Sequence, residues 1–236
     1  MLTAALDAAR LGARAPLTAG FLEAAAPGYL TSRQQAEAPG DWFGRALAYA
    51  TGTLHGAASA LAPAAAGMGR IAGYTPADYL VQHATRERNT ERVPASAWDA
   101  ILAHITDPDD ITRLADSARI RLLYRYATPL YRHAADAGVQ FAASGLASLL
   151  TRRGDLDEAV QVLRARADAG DQRAASQLAT ELAEYGDLDE LRARAAAGNW
   201  SAGFELPRAL VMQGRHEEAK RLLRFGLNPD GSTADA

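Results

Sequence analysis

Glycines recur through the second half of the chain at a fixed interval: Gly138 and Gly154, Gly170 and Gly186, and Gly198 and Gly214 each stand 16 residues apart. Self-similarity at a constant period is the mark of repeat architectures, and stops at this interval leave room for helices of about three turns. Leu146, Leu178 and Leu206 lie eight positions before the second glycine of each pair, and Leu150, Leu182 and Leu210 lie four before it. Spacing by four puts both leucines on one helix face. Eleven and twelve positions before the same glycine stand Ala142 and Ala143, Ala174 and Ala175, and Ala202 and Gly203. Such small residues let a neighbouring helix approach closely.

The second glycine of each pair suits the left-handed residue just past a helix end. Asp155 and Asp187 follow as N-caps, with Glu158 and Glu190 three residues later completing capping boxes. Each cap is worth about 1 kcal/mol. Asp171 and Asn199, directly after Gly170 and Gly198, suit the same role for the other helix, so the unit is a helical hairpin. The first two hairpins are in 32-residue register and the third follows at 28, because residues 159–162 have no counterpart after Glu190. About one helical turn is missing there. A weaker copy precedes them: Leu114 and Ala118 match the leucine positions, Ala127 matches Ala159, and Leu122 stands where the turn glycine would be. The count is four hairpins over residues 107–227, one of them degenerate, and a disordered tail is expected over 228–236.

Leu146-Ala147, Leu178-Ala179 and the run Gly154-Asp155-Leu156-Asp157-Glu158-Ala159 resemble the tetratricopeptide-like family of helical solenoids, in a short Ala-rich variant. The periods of 32 and 28 depart from that family's usual 34, and Ala143 and Ala175 replace its bulky first-helix aromatic. The resemblance implies an all-α, right-handed helical-hairpin solenoid acting as a protein-binding scaffold without catalytic residues.

Residues 1–106 read as an irregular helical region that caps the array, with helices near 3–14, 18–25, 41–50, 76–88 and 96–105. Thr75-Pro76-Ala77-Asp78 is a helix start, with Thr75 at N-cap and Pro76 at the first turn. The strings Ala26-Pro27-Gly28-Tyr29-Leu30, Met68-Gly69-Arg70-Ile71-Ala72-Gly73-Tyr74 and Ala77-Asp78-Tyr79-Leu80 resemble the region between the nucleotide-binding module and the repeats of bacterial STAND-class signalling ATPases. That resemblance implies, as the alternative to a free scaffold, a C-terminal sensor fragment of such an ATPase. The chain has no Gly-x-x-x-x-Gly-Lys-Ser/Thr loop, and its only lysine is Lys220, so the motor itself is excluded.

No catalytic, cofactor or metal site is expected. The chain has no cysteine, which excludes thiol nucleophiles, disulfides and Cys-held metals. Its five histidines, His55, His83, His104, His133 and His216, form no ligand-spaced pair. Residues 67–73 are one residue too long for a dinucleotide fingerprint and read as a turn. Asp107, Asp109 and Asp110 crowd a helix start and read as capping, as do the pairs Asp155 and Asp157, and Asp187 and Asp189. The charged stretch 86–92 interleaves acids with arginines and reads as a solvated helix end. A net charge of −3 gives no field for nucleic acid or anionic lipid. The uncharged run 46–69 is too diluted by Gly52, Gly56, Pro63 and Gly67 to span a membrane. Asp7 and Arg10 interrupt residues 1–14 where a signal peptide would be apolar, so that segment reads as a packed helix and the protein as cytoplasmic.

One departure from the repeat stands out. Two residues past the first glycine, Gln140 and Gln172 are followed in the third hairpin by Trp200; six past it, Ser144 and Ser176 are followed by Phe204. The two aromatics share a helix face. Either they fill the space left by the missing turn, or pack under the last helix near Leu222, Leu223 and Phe225, or they anchor a protein or peptide partner. Pro207 is expected to kink their helix.

Overall fold

The computed structural model describes residues 1–53, 59–228 and 230–234. The chain is mostly helical, with one two-stranded sheet, and divides into two compact units, Met1–Ala137 and Gly138–Ala236.

The first unit contains α1 (Leu2–Leu11), α2 (Ala19–Ala25), a 3-10 turn (Ala26–Tyr29), α3 (Ser32–Ala36), α4 (Trp42–Thr51), β1 (Leu61–Gly67), β2 (Arg70–Pro76), α5 (Asp78–Glu87), α6 (Ala95–His104), α7 (Pro108–Ile120) and α8 (Tyr124–Asp136). Thr18 caps α2 by accepting from Phe21 N, and α2 then buries Phe21 and Leu22 while α6, packed against it, buries Trp98 and Ile101. Gly28 lets the 3-10 turn meet the start of α6, since a Cβ there would fall 2.2 Å from Ser96 Oγ. Ser96 Oγ fastens the join, accepting from Gly28 N at 3.1 Å and donating to Ala25 O at 3.0 Å.

The sheet corrects an all-helical reading of this half. Pro63 disfavours a helix there, and Gly67 and Gly69, with φ of 151° and 71°, supply the turn between the strands. The pair is anchored toward its open end, away from the turn, where Leu61 and Tyr74 are buried and Tyr74 exchanges backbone hydrogen bonds with Leu17 at 2.8 and 3.0 Å. Pro76 pairs with Leu61 in the sheet, so α5 begins at Asp78 with Ala77 at N-cap, later than the Thr75-Pro76 signal predicts. A strand does precede the Gly67-to-Gly73 run, but the run turns into β2 rather than opening a helix, and α5 begins only after that strand.

The hairpin α7–α8, where the repeats begin in sequence, belongs to this first unit. Asp107 caps α7 by accepting from Asp110 N at 2.9 Å. Leu122 takes the turn-glycine's place in the left-handed conformation, with φ of 60°, and Leu123 N closes on Ala118 O. A side chain in that conformation costs about 1–2 kcal/mol. Leu122 is exposed and loses no packing on truncation, so Leu122→Gly should stabilise the protein by about 1 kcal/mol, read as a higher urea midpoint at unchanged m-value. A lower midpoint would mean that Leu122 contributes contacts which outweigh its strain.

The second unit contains α9 (Ala142–Arg153), α10 (Leu156–Asp168), α11 (Gln172–Tyr185), α12 (Leu188–Ala196), α13 (Trp200–Met212) and α14 (His216–Phe225). Gly154, Gly186 and Gly214 all have left-handed backbone, with φ of 87°, 80° and 75°. The next residue's amide closes each time on the repeat leucine: Asp155 N on Leu150 O, Asp187 N on Leu182 O, Arg215 N on Leu210 O. Those leucines, with Leu146, Leu178 and Leu206, are buried. α12 has 9 residues against 13 in α10, which is the missing turn.

Two expectations fail in this unit. Asp171, Asp187 and Asn199 do cap their helices, but Asp155 does not; its carboxylate pairs with Arg153 at 2.6 Å. Glu190 does not return to its N-cap either, and bonds instead to Arg164 and Arg194. After Phe225, Leu227 bridges Thr233, and Ala234 N donates to Gly226 O at 3.1 Å. Gly231 supplies a left-handed turn, and Asp230 accepts from Ser232 N at 2.9 Å.

Candidate functional site

α13 divides its residues sharply by face. Asn199 starts the helix by accepting from Ala202 N at 3.0 Å, and Ala202, Leu206, Ala209 and Leu210 are buried against the neighbouring helices α11, α12 and α14. The other face carries Trp200, Phe204, Val211 and Met212, all exposed. At 100° per residue, positions 200, 204 and 211 fall within about 40° of one another, a narrow apolar strip. α13 continues through Pro207 as one helix.

Trp200 is 78% exposed and Phe204 67%, and their rings stack with centroids 5.6 Å apart and planes inclined by 22°. This exposure overturns the gap-filling reading. Leu188 and Leu191 of the shortened α12 are buried, and Leu223 and Phe225 are themselves exposed on α14. The stacked pair withdraws little surface from water by meeting itself, so it contributes little to folding.

Next to the strip, the repeat-equivalent positions are polar and tied across helices. Ser176 Oγ lies 2.7 Å from Ser201 Oγ, linking α11 to α13, and Gln177 Nε2 donates to Ser148 Oγ on α9 at 3.4 Å. Thr151 Oγ1 bonds to Glu181 at 3.3 Å, and burial pushes the Glu181 carboxyl above its usual range. The aromatic pair is therefore an apolar patch beside a hydroxyl-lined surface.

A second recurring arrangement escaped the sequence reading. Arg164 grips Glu190 with Nε at 3.0 Å and Nη2 at 2.6 Å, and Arg192 reaches Glu218 at 2.6 Å, so an arginine of one hairpin holds a glutamate of the next. The bonds from Arg164 hold the Glu190 carboxyl below its usual range despite partial burial. The signal was present as an Arg-to-Glu spacing of 26 in both cases.

The remaining acids of the first unit also do more than cap. Asp110 is buried and accepts from Arg14 N at 2.9 Å and Ala15 N at 2.8 Å, with Arg113 beside it. Asp7 is buried among Arg10, Arg88 and Tyr29, so the charged stretch 86–92 is not wholly solvated: Arg88 turns inward. His83, His104, His133 and His216 are scattered, and His55 lies outside the described residues with Leu54 and Gly56. Among the described residues, no three His, Asp or Glu side chains gather as a metal group, and no helix is long and apolar enough to cross a membrane.

No protein-family model, no curated protein and no solved structure matches this chain.

Proposed function

We propose that the chain is a non-catalytic protein-interaction scaffold of the tetratricopeptide-like type, a right-handed stack of helical hairpins that binds a protein or peptide partner on the exposed face of α13. The observation that carries this reading is the stacked, solvent-exposed pair Trp200 and Phe204. Two large aromatics held on a helix, at repeat positions that elsewhere carry Gln172 and Ser176, present apolar area that folding does not use. Burying them under a partner recovers that area, and tryptophan is enriched among residues that dominate interface energy. The polar neighbours Ser176, Ser201 and Thr180 suit the rim of such a patch.

The test is the double variant Trp200→Gln, Phe204→Ser in the full chain, which restores the residue types of the other repeats. Partners captured from the native lysate by the wild-type protein should be lost, a weakening of about 30-fold or more for hot-spot aromatics. The melting temperature should stay within about 1 °C of wild type, since exposed substitutions scarcely alter stability. A fall of several degrees would place the pair in the folding core, and undiminished capture would place the interface elsewhere; either result ends the proposal.

A further inference from the structure

A cavity of about 510 Å³ lies in the first unit, between the segment that follows α5 and the start of α8. That is the size of a small-molecule site. Its lining is unusual in charge: Arg92, Arg121 and Arg125 contribute three guanidiniums against the single carboxylate of Glu91, a local excess of two positive charges in a protein whose net charge is −3. Val93, Leu123 and the stacked rings of Trp98 and Tyr126, 5.6 Å apart, supply apolar wall.

Arginines elsewhere are matched to acids. Asp7 serves Arg10 and Arg88, Glu190 serves Arg164 and Arg194, and Glu218 serves Arg192. The three cavity arginines are exposed and, Arg125 apart, meet no acid. Arg92 makes no hydrogen bond or ion pair among the described residues. Arg121 spends its Nη1 on Ser117, at 3.0 Å to the carbonyl and 2.7 Å to the hydroxyl, and meets no carboxylate. Arg125 approaches Asp99 only to 3.7 Å, with both side chains more than half exposed, a pair of little strength. Burial, with the nearby Arg10 charge, lowers the pKa of Arg121, the expected behaviour of a cation that lacks a counter-ion. Trp98 adds a buried indole N–H with no hydrogen-bond partner. A concavity lined by exposed guanidiniums focuses its field on an incoming anion.

We propose that this cavity is a binding site for a small organic phosphate, with Arg92, Arg121 and Arg125 holding the phosphate and the Val93 and Leu123 side meeting its apolar body. A phosphate monoester carries close to two negative charges near neutral pH, matching the local excess, and guanidinium forks suit its oxygens. The site is independent of the α13 face and stands whether or not that face binds a protein.

The test uses the full chain and phenyl phosphate, with benzoate as the singly charged analogue, inorganic phosphate as the headgroup alone, and titration calorimetry as the readout. Phenyl phosphate should bind at one site per chain, about tenfold tighter than benzoate and tighter than inorganic phosphate, and should raise the melting temperature. Arg92→Gln and Arg121→Gln should each weaken it about tenfold or more, while Arg45→Gln on α4 leaves it unchanged. Arg92 has no partner to lose, so its variant decides the matter if Arg121→Gln folds poorly. Absence of saturable binding, equal affinity for benzoate, unchanged affinity in Arg92→Gln, or equal weakening by Arg45→Gln would each overturn the site.

Discussion

Asp7→Asn should cost the protein about 3–5 kcal/mol, because it removes the acid that faces the buried Arg10. Asp7 is fully buried on α1 and accepts from Arg10 Nε at 2.8 Å, Arg88 Nε at 3.1 Å, Arg88 Nη2 at 3.2 Å and Tyr29 Oη at 2.8 Å. The Arg10 side chain is only 3% exposed, so an amide at position 7 leaves a guanidinium uncompensated away from water. Urea denaturation near pH 7 measures the loss; a value under about 1 kcal/mol would show that Arg10 finds solvent or another acceptor. The same cluster sets an acid limit. Burial pushes the Asp7 carboxyl up, but the bonds from Arg88, Arg10 and Tyr29 outweigh it and hold the folded-state pKa below the ordinary value. The unfolded chain therefore takes up the proton first. Stability from Asp7 is complete above the ordinary carboxylate pKa of about 3.9 and drains away as pH falls through the lower folded value. The Asn variant should lack that part of the acid dependence, so the wild-type and variant curves should converge on acidification.

Asp110→Ala should cost about 3–4 kcal/mol and should act locally on a segment far away in sequence. Asp110 opens α7, yet its oxygens accept the backbone amides of Arg14 and Ala15, 96 and 95 residues earlier. Removing the carboxylate strands two amides in a part-buried place, each worth about 1–3 kcal/mol, and leaves Arg113 without its acid. Hydrogen exchange reads this directly: the Arg14 and Ala15 amides should exchange faster in the variant while those of α2 and α6 keep their protection. Unchanged exchange at both positions would refute the tether. Asp110→Asn, which keeps one acceptor oxygen, should lose less than Asp110→Ala.

These two carboxylates also show where reading from sequence stops. The turns of the second unit are local problems: a left-handed backbone selects glycine within one residue, and buried leucines recur at the helical period, so Gly154, Gly186 and Gly214 reveal their role without any partner. Asp7 and Asp110 are defined by groups up to 81 and 96 residues away, and nothing near them distinguishes a buried ion cluster from a solvated helix start. The β1–β2 pair was obscured because alanine, its commonest residue, has no strand preference of its own. Trp200 and Phe204 could be singled out because they break a repeat, but only their exposure shows that they are not packed in the core. The arginine-lined cavity joins Arg92 to Arg121 and Arg125 across segments that share no period, so no spacing announces it.

The ties from Arg164 to Glu190 and from Arg192 to Glu218 bear on how a chain of this kind changes length. Each spans 26 residues, and the two sets of partners are themselves 28 residues apart. Excising residues 171–198 would join Gly170 to Asn199, reproducing the Gly198-Asn199 junction, and would bring Arg164 to 26 residues before Glu218. The seam would inherit a left-handed glycine, a capping side chain and a matched ion pair without a single compensating substitution. Duplication of the same stretch would do likewise in the other direction. The hairpin is thus a heritable cassette, able to lengthen or shorten the array in one genetic event, while Trp200 and Phe204 give one copy its own character.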